Sequence, residues 1–219
     1  MLDKAIDYLS IALVLSNFVL LASSRLGMCI KAVTAQGVVL AIIPLLSEWG
    51  HLQTASIVLC LVTLAIKGWV FPRLLNGAIE RGRITREVEP LVGYNTSLLI
   101  GVGMLVFGFW LQTRIPVPHG ARGLLLPASF FGILAGFYLT IARRKALTQI
   151  LGYLVLENGI FAFGLAALPE HPLLLEMGIL LDVFVGVFIM GVALFHISRE
   201  FDHMDADRLA SLRDPTGDV

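Results

Sequence analysis

The sequence predicts an all-α integral membrane protein of about seven transmembrane helices, on three observations. Hydrophobic residues make up 57% of the 219 and charged residues only 15%, where a water-soluble domain carries about a quarter charged. Mean hydropathy is +0.85. Apolar runs near the ~20 residues needed to cross a ~30 Å hydrocarbon core recur along the whole length, and Lys and Arg sort unevenly between the two faces those runs define.

In order, the runs fall at Ala5–Leu21, Gly27–Leu46, Leu52–Phe71, Val92–Trp110, Leu124–Ile141, Leu147–Leu168 and Pro172–His196. The first reads as a retained span, because Asp3 and Asp7 offset Lys4 and leave no basic segment of the kind that precedes a cleaved signal. With seven spans, Lys4, Arg114 and Arg122 fall on one face. The other receives Arg25, Lys31, Arg73, Arg81, Arg83, Arg86, Arg143, Arg144, Lys145, Arg199, Arg208 and Arg213. Basic residues stay on the cytoplasmic side, so the N-terminus is expected outside and the tail from Ser198 inside. The connection Phe71–Pro90 mixes Arg81, Arg83 and Arg86 with Glu80, Glu87 and Glu89. It is expected to ride on the cytoplasmic interface, either as a docking surface for a soluble partner or as a plain solvated connector.

Spans five to seven form a trio with a basic turn, Arg143–Arg144–Lys145, and a short opposite turn, Pro169–Pro172; spans one to three repeat this plan. AQGVVLA at 35–41 faintly echoes ENGIFAF at 157–163, with Ala35 in the place of Glu157, so duplication of a three-helix unit is expected. The units are residues 1–91, a linking fourth span within 92–122, a three-helix unit at 123–197 and a cytoplasmic tail at 198–219. Gly132 and Gly136 form a small-xxx-small pair, and Gly101, Gly103 and Gly108 lighten the fourth span, all read as packing positions. The GVG at 101–103 lacks the strand-turn-helix setting and third glycine of a nucleotide-binding loop. Cys29 and Cys60 stand singly, and His51, His119, His171, His196 and His203 fall at or beyond span ends. No metal, haem or cluster site is expected in this chain.

Two acids stand deep in apolar runs. Glu157 is about twelve residues from Lys145, roughly 18 Å, and Asp182 about ten from Pro172, roughly 15 Å, at 1.5 Å per residue. A carboxylate at such depth costs a few kcal/mol or more, which makes function the default reading; a pair of buried acids can take up and release protons as a relay. Gln149, Tyr153 and Glu157, at i, i+4 and i+8, share one helical face along which water could lead to the centre. Against this stands the plain reading that Glu157 and Asp182 bond Asn158, Tyr153 or a neighbouring helix and fix the packing. Glu176, nearer the outer end, reads as a solvated interfacial acid, with gating of proton exit as the alternative. Lys67 is expected to snorkel to the inner interface on its long stem, with a buried proton-coupling lysine as the alternative.

The stretch RRKALTQILGYLVLENGIFAFGLAAL from Arg143, followed by LLLEMGILLDVFVGVFIMGVALFHISREFDHMDADRLASLRD, resembles the three-helix K subunit of respiratory complex I. It resembles hydrogenase-4 component E, the larger seven-span relative, more closely still. In the K subunit a basic turn precedes a helix with a functional glutamate, and a second acid sits in the next helix ahead of a glycine. Asp182, four before Gly186, matches the second acid; Glu157, counted from Gly152, comes three residues later than the first, about one helical turn. The resemblance implies an accessory membrane-arm subunit of a complex I-related hydrogenase of the hydrogenase-4 or formate hydrogenlyase type, in the cytoplasmic (inner) membrane of a prokaryote. Its own chemistry would be proton translocation through Glu157 and Asp182, with nickel-iron and iron–sulfur centres on partner subunits of the oxidoreductase complex. The rival readings are a small subunit of a multisubunit cation/proton antiporter and a purely structural membrane subunit.

Overall fold

The computed structural model describes residues 2–47, 54–82, 92–115, 123–143, 146–167 and residue 186. The elements are α1 (Leu2–Ala22), α2 (Leu26–Ser47), α3 (Thr54–Ala65), a five-residue π turn (Ile66–Val70), α4 (Phe71–Gly82), α5 (Tyr94–Gln112), α6 (Leu125–Ala142) and α7 (Ala146–Ala167). The fold class is the expected one: an all-α, multi-pass membrane protein. Among the described residues five helices, α1, α2, α5, α6 and α7, are long and apolar enough to cross a membrane, and their ends fall within three residues of the predicted ones. Of the seventh predicted run only Gly186 is described; it is helical, and its backbone comes close to the Phe71 ring.

The third run departs from expectation. The residues flanking the π turn, Ala65 and Phe71, keep right-handed helical angles, and the Phe71 N–H donates to the Ile66 carbonyl, an i to i−5 bond. One continuous helix therefore runs from Thr54 to Gly82, and the chain from Phe71 begins as α4 rather than as a loop. Pro72 follows the π turn directly. A proline inside an α-helix lacks an N–H and crowds the carbonyl of residue i−4; the wider turn just before it is where such crowding is relieved. In α4, Phe71 and Leu75 are buried, with Leu74 and Ile79 packed beside them, an apolar stripe at helical spacing. Arg73, on the exposed side, stacks 4.1 Å from the Trp69 ring. Residues 83–91, which carry most of the charges of the predicted docking surface, lie outside the described residues.

The bundle is fastened at both ends. At one end Asp7 Oδ1 accepts from the Leu124 N–H at 3.1 Å, so a side chain of α1 satisfies an amide that α6 leaves open at its start. At the other end Arg143, 2% exposed, donates from Nη2 to the Leu21 carbonyl at 3.2 Å and stacks 4.8 Å from the Tyr94 ring. One cation thus closes the carbonyl end of α1 and joins it to the end of α6 and the start of α5. Between α6 and α7 the packing is backbone on backbone. A methyl group on Gly159 would lie 2.5 Å from the Ile133 nitrogen, one on Gly152 would lie 2.6 Å from the Thr140 nitrogen, and one on Gly136 would strike the Leu156 backbone. Gly103 has nothing within 4 Å of that position.

These contacts set a paired prediction. Gly159→Ala will lower the melting midpoint in detergent by the equivalent of about 1–3 kcal/mol of overpacking, and Gly103→Ala will leave it unchanged. Equal melting of the two variants would contradict the close α6–α7 approach.

Candidate functional site

Two apolar clusters fill the interior. One, toward the Arg143 end, is built around Leu20, Leu26, Phe131 and Leu151; the other, toward the Asp7 end, contains Leu13, Leu40, Leu126 and Ala162. Between them lies a polar layer of Ser16 and Asn17 from α1, Gln36 from α2, Lys67 from the π turn, and Glu157 and Asn158 from α7. Except for half-buried Ser16, each is 6% exposed or less. Lys67 Nζ donates to Glu157 Oε1 at 2.6 Å and to Asn158 Oδ1 at 2.9 Å, and sits 5.5 Å from the Phe161 ring centre. Asn158 Nδ2 donates to Gln36 Oε1 at 3.3 Å. Gln36 Nε2 in turn donates to Asn17 Oδ1 and to Ser16 Oγ, both at 2.8 Å.

The expected snorkelling of Lys67 does not occur; its ammonium turns inward. Space for the stem comes from Gly37, where a methyl group would lie 2.6 Å from Lys67 Cβ and 3.1 Å from its Cδ. Glu157 is buried as expected, on α7. Gln149, two turns earlier, is exposed and donates to the Arg143 carbonyl at 3.2 Å, and Tyr153 is half-buried against the first apolar cluster. The structure joins Lys67 and Glu157 into one site, and turns Gln149 to the backbone at the end of the bundle. Asp182 and Glu176 lie outside the described residues. The two positions matched by the faint internal echo, Gln36 and Asn158, are the two that bond each other.

The uncharacterized protein Rv0085 of Mycobacterium tuberculosis is 32% identical over 211 residues, 95% of this chain and 96% of its own length. The chain belongs to that protein's family. Hydrogenase-4 component E of Escherichia coli is 28% identical over 118 residues, 53% of this chain and 54% of its own, and component E of Shigella flexneri matches to the same extent. No family model and no solved structure matches the chain. The likeness to component E is thus partial, covering about half of each protein.

Asn17 and Gln36 are the fully buried site residues that the sequence analysis missed. The available signal was their position, since each is an uncharged amide well inside an apolar run, where an unbonded polar group is costly and a bonded one joins helices. Removing one member of a buried ion pair strands the other charge at about 3–5 kcal/mol. Lys67→Met and Glu157→Gln will therefore each destabilise the protein in detergent unfolding, and the double variant will lose much less than the sum of the two. Strict additivity would mean that the two side chains are not paired.

Proposed function

We infer that the chain is an accessory membrane-arm subunit of a complex I-related, hydrogenase-type redox complex, and that its Lys67–Glu157 pair passes protons in step with electron transfer on partner subunits. The observation that carries the reading is a lysine and a glutamate bonded at 2.6 Å and almost wholly out of water; the partial likeness to hydrogenase-4 component E supplies the setting. A proton delivered to the Glu157 carboxylate cancels its charge and loosens its hold on the Lys67 ammonium. Loss of that proton to the next group restores the pair. The cost of an unpaired ion in a low-dielectric interior makes the two states differ sharply in the charge seen by neighbouring helices, which is the property a coupling element needs.

In this reading Asp182 is the second relay acid, Glu176 stands toward the exit, and Tyr153 and Gln149 lie along the approach from the cytoplasmic face. The N-terminus is outside and the tail inside the cell. Nickel-iron and iron–sulfur chemistry is the partners' contribution; this chain holds and moves protons at carboxyl and ammonium groups. The reading is tested by gentle solubilisation and identification of every co-purifying subunit, which is expected to return hydrogenase-type and iron–sulfur proteins. In the assembled complex Glu157→Gln and Asp182→Asn should each cut hydrogen-linked proton movement by an order of magnitude or more, a typical worth of a positioned proton-transfer group. Partners without redox subunits, or full coupling in both variants, would reject it.

A further inference from the structure

Two small cavities flank the polar layer, and Asn158 lines both. The first lies toward the Arg143 end and is lined by Thr34, Lys67, Phe71, Leu75, Leu154 and Asn158 among others. The second lies toward the Asp7 end and includes Asn17, Gln36, Leu40, Ala128, Ala162 and Asn158. Each has room for roughly one water molecule and polar groups to bond it. The ion pair is not placed symmetrically between them: Lys67 forms part of the first wall, whereas the polar lining of the second consists of amides alone.

The amides have a fixed sense. Asn158 turns its oxygen to Lys67 and its nitrogen to Gln36, and Gln36 turns its oxygen to Asn158 and its nitrogen to Asn17 and Ser16. A proton crosses a hydrogen-bonded chain only where each member can accept on one side and release on the other, as water, a hydroxyl or a carboxyl does. A primary amide has a carbonyl that only accepts and an NH2 group that only donates, so two amides in series interrupt the chain. We propose that Asn158 and Gln36 form a proton seal: the Lys67–Glu157 pair exchanges protons with the Arg143-end water site, while the amide pair insulates it from the Asp7-end site and prevents a passive leak through the bundle.

This rests on the reading of the pair as a proton carrier, but it is measured without redox chemistry and so fails or stands separately from it. The full chain, with whatever subunits co-purify, is reconstituted into liposomes holding a pH-sensitive dye, and proton entry is followed after an external acid jump. Wild-type vesicles should be as tight as protein-free ones. Asn158→Asp, at the residue that lines both cavities, and the double variant Gln36→Glu with Asn158→Asp keep side-chain size but replace the non-transferring amide by a proton-transferring carboxyl, and each should raise the flux several-fold. Gln36→Leu, which removes the polar group, should stay tight. Should one carboxyl variant fail to reach the membrane, the other carries the comparison, and the wild-type measurement stands in either case. The seal is overturned by a leaking wild type, by carboxyl variants that are present and as tight as wild type, or by Gln36→Leu leaking as fast as they do, which would mark a packing defect rather than a proton carrier.

Discussion

An ammonium and a carboxylate held together inside an apolar bundle set the terms for the residues around them. Neither ion is tolerable there alone, so the geometry must bring them within bonding distance. Three local features do this. Gly37 lets α2 come up against the lysine stem. The π turn at Ile66–Val70 carries Lys67. Asn158 takes a second bond from the same nitrogen and passes its own on to Gln36. The polar layer thereby ties α1, α2, the third helix and α7 into one unit across a boundary where apolar packing alone gives little direction, since lipid is as apolar as leucine.

Much of the architecture was legible in the sequence because membrane thickness fixes helix length. Runs of about twenty apolar residues in α1, α2, α5, α6 and α7 had one physical meaning, and their ends lie close to where composition changes. The third helix was harder. Pro72 looks like a terminus, and a local reading has no means of knowing that a wider turn before it lets the helix continue through Phe71 and Leu75. Lys67 shows a different limit. Its distance from either end of its run allowed both an interfacial and a buried position, and the deciding facts were a glycine thirty residues earlier and a glutamate ninety later. Glu157 was recognisable because depth and charge together leave few bland explanations. Asn17 and Gln36 carry no charge, so nothing but their setting in an apolar run drew notice.

The likeness to hydrogenase-4 component E and the geometry of the polar layer bear on different questions. The first concerns the assembly in which a chain of this kind works and covers about half the sequence. The second concerns what the chain can do to a proton wherever it is assembled. It rests on an ion pair bordered on one side by a water-sized cavity and on the other by amides.

The fastenings of the bundle also say something about its birth. Lys67 and Glu157 are 90 residues apart, and Leu21 and Arg143 are 122 apart. At about 5–20 residues per second of synthesis, the ammonium waits roughly 5–18 s for its counter-ion to leave the ribosome. Over that interval the carboxylate it bonds in the folded chain does not yet exist. A lysine stem can reach toward the headgroups, and in the folded chain the inward place of this ammonium depends on α7, which supplies both Glu157 and Asn158.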